Sequence, residues 1–193
     1  MLTINHTGIA KKSLLIGFFI FSCTINALAY NPQDSKILTS GPNILQRDLT
    51  FFLQNNHIQT INDYAQWLEK NISYQKDIAG DIWEAPLQTL KRRYGDCEDF
   101  AILTANTLAL LNYTPQVLLM LKENLAHAIC IFKKDGRYLI FDNNRLIATP
   151  FQTKTALKNH LKTQYNYLAI RSIDYKENAW TQHQVQGVLV SGF

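Results

Sequence analysis

The chain has few cysteines and no strongly charged segment, and these absences limit what it can be. Of its three cysteines, Cys23 lies in a segment that we expect to be removed, which leaves at most one disulfide. The formal net charge is only +4, and no run of like charge exceeds Lys91-Arg92-Arg93, so nucleic acid is not an expected partner. The spacings of zinc sites, EF-hands, phosphate-binding glycine loops and serine nucleophile elbows are also missing.

The remaining composition is that of one globular domain. Hydrophobic residues make up 47% of the 193 residues and charged residues 18%. This length allows one domain with a substantial core, but not two large ones. The sequence contains no internal repeat and no low-complexity tract.

The N-terminus is organised like a signal peptide. Lys11 and Lys12 form a positive region, an apolar stretch follows over residues 13–25, and Ala27-Leu28-Ala29 is a small-x-small cleavage site. The stretch is shorter than the roughly 20 residues that span a bilayer. We therefore predict that residues 1–29 are removed and that the protein is exported to the periplasm. An uncleaved membrane anchor and lipidation at Cys23 are the alternatives.

The hydrophobic periodicity predicts helices first and antiparallel strands second, which defines an α+β domain. Thr60 and Asp63 form a predicted capping box at the start of one helix. Helices are predicted over residues 43–72, 86–90, 97–111 and 153–162, and strands over residues 116–121, 126–132, 137–141, 165–173 and 185–190.

Cys97 is the first candidate for chemistry. Gly95 supplies a tight turn and Asp96 a helix N-cap, which makes Cys97 the first residue of the next helix. Backbone N–H groups at a helix start favour the thiolate and can form part of an oxyanion hole. A small buried residue under the helix start is the structural alternative.

His127 and Asp142 are the predicted partners of Cys97. A turn centred on Lys134-Asp135 would place them directly opposite each other on adjacent strands, where the carboxylate can orient the imidazole. A turn at Asp135-Gly136 would make them diagonal neighbours, still within reach. Cys130 is three residues from His127 and so points to the other face; if His127 faces the helix start, Cys130 is a buried core thiol and a disulfide with Cys97 is not expected.

These segments together resemble a known family. Trp83 to Leu90, then Tyr94-Gly95-Asp96-Cys97-Glu98-Asp99-Phe100-Ala101, then the histidine strand and Asp142-Asn143, are similar to the bacterial transglutaminase-like cysteine proteinases. The resemblance covers about residues 67–150. It implies a papain-like fold, with N-terminal helices packed on an antiparallel sheet, and a triad of Cys97, His127 and Asp142. Residues 30–193 would then form a transglutaminase-like cysteine peptidase domain.

The best-understood members of that family imply more about partners. They are calcium-dependent periplasmic proteases that release large surface adhesins, and so cells from biofilms. An inner-membrane receptor that senses a cyclic dinucleotide holds them inactive. This chain departs from them in its compact spacing between the three triad positions and in Ala128 and Ile129, which follow the histidine. The triad is therefore better supported than the adhesin substrate.

The acidic residues around Cys97 allow two interpretations. Asp96, Glu98 and Asp99 would raise the pKa of the thiol if nothing screened them. They either point away as caps, or Asp96 and Glu98 hold a hard cation such as Ca²⁺, which the family resemblance favours. Trp83 either lines the substrate cleft near the oxyanion site or is a buried residue that stabilises the helix pair.

The sequence thus predicts an exported cysteine peptidase that hydrolyses a surface or periplasmic protein by acyl transfer. A protein-glutamine transglutaminase or amidase on the same triad is the alternative within the same chemistry. A cell-wall amidase and a non-catalytic binding module of the same fold are the others.

Overall fold

The structure is a computed structural model that describes residues 42–77, 82–123 and 125–175. The predicted signal peptide and the strand predicted over residues 185–190 lie outside these described residues. Within them the chain forms five helices and seven strands. The helices are α1 Pro42–Asn55, α2 Ile61–Asn71, α3 Pro86–Arg92, α4 Cys97–Leu110 and α5 Lys154–Tyr165. The strands are β1 Ser73–Tyr74, β2 Tyr94–Gly95, β3 Gln116–Lys122, β4 Leu125–Lys134, β5 Arg137–Asp142, β6 Arg145–Ala148 and β7 Ala169–Ile173.

Strands β3 to β7 form one antiparallel sheet, in the order β6-β5-β4-β3-β7. A separate pair, β1 and β2, runs parallel and aligns Tyr74 with Gly95. The predicted α+β class, with N-terminal helices packed on an antiparallel sheet, is confirmed. Among the described residues, no helix is long and apolar enough to span a membrane.

The two faces of the large sheet are covered by different helices. Alternate residues of β4 point to opposite faces, as in any strand. Ala128, Cys130 and Phe132 join the larger core cluster with α4 and α2, whereas Ile129 and Ile131 join a smaller cluster with Leu157 and Leu161 of α5. Tyr64 of α2 is fully buried in the larger cluster, and its hydroxyl lies 3.0 Å from Thr104 Oγ1.

Local sequence signals explain where several elements begin. Thr60 and Asp63 form the predicted capping box of α2, with both reciprocal bonds present. Pro86 starts α3, and Asp96 is the N-cap of α4. Two expectations were less accurate: α5 continues to Tyr165, so that β7 starts only at Ala169, and the short strand β6 was not predicted.

The turn between β4 and β5 is centred on Asp135-Gly136, and the centring on Lys134-Asp135 was wrong. Cys130 pairs with Phe141, and Lys134 with Arg137. Asp135 and Gly136 have φ angles of 49° and 79°. Two-residue hairpin turns of this kind need positive φ at both central residues, which Asp-Gly adopts readily and lysine does not. His127 and Asp142 are therefore diagonal neighbours rather than a directly opposed pair.

Candidate active site

The start of α4 is built by close packing around Gly95. A Cβ atom at residue 95 would lie 2.8 Å from both Cβ and Oδ2 of Asp99, and 3.2 Å from Cγ2 of Thr89. Only glycine fits there without a shift of the neighbouring atoms. Asp96 follows as the N-cap and Cys97 as the first residue of the helix, as predicted.

Asp99 ties this helix start to the segment that precedes α3. Its Oδ1 accepts a 2.9 Å hydrogen bond from the backbone N–H of Glu84, and its Oδ2 accepts a 3.4 Å bond from that of Asp96. Burial raises the pKa of the Asp99 carboxyl to about 7, although the Glu84 N–H opposes the shift. Glu84, itself buried, forms an ion pair with Arg92. Asp99 thus fixes the start of α4 to the segment before α3, whereas the sequence predicted only a capping role for it.

His127 and Asp142 are joined directly. His127 Nε2 lies 2.8 Å from Asp142 Oδ1, across the open ends of β4 and β5. Their side chains keep 27% and 41% of their surface exposed, so both reach solvent. Because Nε2 is bonded to the carboxylate, Nδ1 is the ring nitrogen that remains to exchange a proton.

The Cys97 sulfur lies against the strand that carries His127. The backbone N–H of Ala128, the residue after His127, faces the sulfur, and the thiol lies 3.1 Å from Glu98 Oε2 as a donor. Burial raises the pKa of the Cys97 thiol and the charge of Glu98 raises it further, while the Ala128 N–H acts in the opposite direction. The expected lowering by the helix start is therefore outweighed in this protein by burial and by Glu98.

Two tyrosines that were not among the predicted site residues interact electrostatically with the Cys97 thiolate. Burial raises the pKa of the Tyr167 phenol, followed by the charges of Asp142 and of a Cys97 thiolate. The pKa of Tyr74 is raised by burial and by the charges of Cys97, Asp96 and Glu98. Tyr167 is thus within electrostatic range of Cys97 and Asp142, and Tyr74 of β1 is within electrostatic range of Cys97. No spacing in the sequence marks either residue, because each comes from an element distant in the chain.

A family model for the transglutaminase-like domain matches residues 43–173. The chain belongs to this family. The match extends beyond the segment of about residues 67–150 on which the resemblance was drawn, and it includes every element from α1 to β7. The predicted transglutaminase-like, papain-like fold is therefore the fold of this domain.

Individual relatives are more distant. The UPF0252 protein MJ1282 of Methanocaldococcus jannaschii is 28% identical over 141 residues, and these cover 64% of this chain but only 40% of that protein. Among solved structures, a candidate cysteine protease from Cytophaga hutchinsonii aligns with a TM-score of 0.42 and 20% identity, over 54% of this chain and 38% of that one. Calcium-bound LapG of Legionella pneumophila aligns with a TM-score of 0.35 and 21% identity, over 57% of this chain and 60% of that one.

The domain brings three carboxylates together near Cys97, the candidate nucleophile. Asp77, Asp96 and Glu98 each offer an oxygen, and these oxygens lie within 4.8 Å of one another. Asp96 and Glu98 are the residues predicted as cation ligands, and Asp77 joins them because β1 runs beside β2. Three acidic oxygens at this separation suit a hard cation such as Ca²⁺, so the residues fit the predicted group.

The two remaining candidates lie in the core of the domain. Trp83 is 9% exposed and belongs to the larger cluster, which agrees with the packing interpretation; its contribution to an oxyanion site stays a prediction. Cys97 and Cys130 are both free thiols, as expected. The expected layer of Cys130 was wrong, however, because Cys130 packs on the face covered by α4 while His127 borders the face covered by α5. The Cys97 thiol interacts with the backbone of β4, at Ala128. His127 therefore does not have to point to the face of the sheet that α4 covers.

Proposed function

We propose that this domain is a cysteine peptidase in which Cys97 is the nucleophile, His127 the base and Asp142 the group that orients His127. The main support is the 2.8 Å bond between His127 Nε2 and Asp142 Oδ1, together with a Cys97 thiol that interacts with the backbone N–H of Ala128, the residue after His127. A histidine fixed by a carboxylate beside a cysteine at a helix start is the arrangement that acyl transfer requires.

The reaction begins with proton transfer from the thiol to the imidazole. His127 Nδ1 takes the proton of Cys97, and Asp142 stabilises the imidazolium that results. The thiolate attacks the carbonyl carbon of the scissile amide, and the oxyanion is stabilised by backbone N–H groups at the start of α4. His127 then protonates the leaving amine, and water hydrolyses the thioester that remains.

Calcium would bind at Asp77, Asp96 and Glu98. The cation would offset the negative charge that Glu98 and Asp96 place next to the thiol.

A ligand that binds only the folded state raises its stability. We therefore expect Ca²⁺ to raise the unfolding temperature and a chelator to reverse the rise. Asp77→Asn should lose this response, whereas Glu69→Gln, an exposed acidic residue of α2, should keep it. An equal response in both variants would place the cation elsewhere.

The proposed substrate is a periplasmic or surface protein, with large adhesins as the class that the family resemblance suggests. The peptidase itself would be exported by its N-terminal segment. Support for both comes from the family resemblance and from the signal-peptide pattern of residues 1–29. The same resemblance suggests regulation by an inner-membrane receptor. A transglutaminase or amidase would use the same residues and differ only in the nucleophile that reaches the acyl-enzyme, and a non-catalytic module would leave Cys97 inert.

The decisive test compares the wild-type protein with Cys97→Ala on an extract of surface and outer-membrane proteins, with and without chelator. Cys130→Ala is the matched control, because it removes the other described thiol from the core rather than from the site. We expect wild type and Cys130→Ala to remove specific protein bands, and chelation to slow the loss. Identical patterns from wild type and Cys97→Ala would refute the peptidase. Amine incorporation without new fragments would favour the transglutaminase, and release of peptides from purified peptidoglycan the amidase.

A further inference from the structure

A cavity of about 190 Å³ lies next to the His127–Asp142 pair, on the face of the sheet that α5 covers. Its floor is apolar and almost completely buried, with no floor residue more than 7% exposed. The floor consists of Met120, Ile129, Ile140, Leu157 and Leu161.

The cavity opens at the proposed catalytic dyad. His127 and Asp142 line it, and their side chains are 27% and 41% exposed. Ile147, on β6, also lines the cavity and is 38% exposed. These three side chains, together with Tyr165, which is 55% exposed, form the mouth of the cavity. Tyr167, which is within electrostatic range of Cys97 and Asp142, forms part of the wall.

The size and the lining define what the cavity can accept. An apolar protein cavity of about 150 Å³ stays dry and binds benzene. A space of 190 Å³ is therefore large enough for one branched aliphatic or aromatic side chain. Two polar side chains of the lining already have contacts within the domain: Thr149 Oγ1 donates a 2.6 Å bond to the Tyr138 carbonyl, and the His160 ring packs on Phe151 with centroids 4.8 Å apart. A charged substrate side chain would find no ion-pair partner on the floor.

We propose that this cavity is a specificity subsite, which binds one large apolar side chain of the substrate residue that flanks the scissile bond. The inference rests on the proposed peptidase function, because it is the dyad at the mouth that places the bound residue next to the reaction. Ile147 at the mouth and Leu157 on the floor are the specificity-determining residues. The substrate class becomes narrower: proteins with an exposed segment that contains Leu, Ile, Met or Phe at the cleavage site.

Cleavage of a peptide library by the wild-type protein tests the subsite. Each position around the scissile bond carries Ala, Leu, Phe or Asp in turn. Burial of one large apolar side chain should favour Leu or Phe over Ala by about 10-fold to 100-fold in kcat/KM at one position. Ile147→Trp, which narrows the mouth, should reduce this ratio to near one. Phe51→Trp is the matched control, because Phe51 is a 63% exposed apolar residue of α1 outside the cavity, and it should keep the ratio.

A binding measurement separates the subsite from the peptidase activity. The Cys97→Ala protein should bind benzene, seen as NMR shift changes of the methyl groups of Leu157 and Ile129, and Ile147→Trp should weaken the binding. Benzene binding by the Cys97→Ala protein, combined with a wild-type protein that cleaves no peptide of the library, would support the cavity and refute the peptidase. Cleavage that shows no dependence on apolar size at any position, or the absence of benzene binding, would overturn the subsite.

Discussion

Substitution of Gly95 by alanine tests whether close packing at the start of α4 positions Cys97, the proposed nucleophile. The new Cβ atom would lie 2.8 Å from the Asp99 side chain, so Asp99 or the start of α4 must move. Overpacking of this kind costs about 1–3 kcal/mol, while the loss of glycine's freedom in the unfolded chain returns about 0.4–1 kcal/mol. The expected net loss in the free energy of unfolding is about 1–2 kcal/mol. A displacement of about 1 Å at Cys97, two residues further on, would also lower the rate of the proposed peptidase reaction by about 100-fold.

Gly136 offers a matched control for the same substitution. A Cβ atom there meets nothing within 4 Å, but the residue has φ of +79°, so alanine is strained by about 1–2 kcal/mol. Both variants should therefore lose similar stability in urea unfolding. Only Gly95→Ala should slow the alkylation of Cys97 by iodoacetamide, measured by peptide mass mapping with Cys130 as internal reference. Equal alkylation of Cys97 in the two variants would refute the idea that Gly95 packing positions the thiol.

Three further predictions follow from single contacts. Asp142→Asn should lower kcat by about 100-fold to 10,000-fold, because the amide no longer stabilises the imidazolium. The control variant, Asp135→Asn in the hairpin turn, should leave kcat unchanged. Equal rates for the two variants would exclude an orienting role for Asp142. Tyr64→Phe should lower the free energy of unfolding by about 1 kcal/mol, because the hydrogen bond to Thr104 is lost. If the same substitution costs as much in a Thr104→Val protein, which cannot form this bond, the bond contributes nothing. Asp77→Asn should abolish the Ca²⁺-dependent rise in unfolding temperature.

The position of Cys97 at a helix start could be predicted from local signals. Gly95 and Asp96 precede Cys97 in the order that a turn and an N-cap require, and both effects act within a few residues. The capping box at Thr60 and Asp63 was predictable for the same reason. The α+β order followed from the change in hydrophobic period after residue 115.

The hairpin register was predictable in principle and was nevertheless misjudged. The Asp135-Gly136 dipeptide is a strong hairpin signal, because its residues tolerate positive φ. Centring the turn one residue earlier moved His127 and Asp142 from diagonal to opposed positions. His127 and Asp142 nevertheless contact each other as predicted, because an imidazole and a carboxylate are long enough to meet from diagonal positions on adjacent strands.

Other parts of the site depend on contacts between distant segments. Asp77 lies about 20 residues before the other two acidic groups and reaches them only because β1 pairs with β2. Tyr167, in the segment after α5, is within electrostatic range of Cys97 and Asp142. Neither its spacing in the sequence nor its neighbouring residues distinguish it from other tyrosines.

By itself, the sequence determined the helix start at Cys97, the class of the fold and the identities of the three candidate catalytic residues, because caps, turns and periodicity act over short distances. Only the tertiary structure decided which face His127 borders, how burial and Glu98 raise the pKa of Cys97, and that an apolar cavity opens at the dyad. These properties arise from how α4, α5 and the sheet pack together, and no local pattern encodes the distance between residues that meet only in the folded chain.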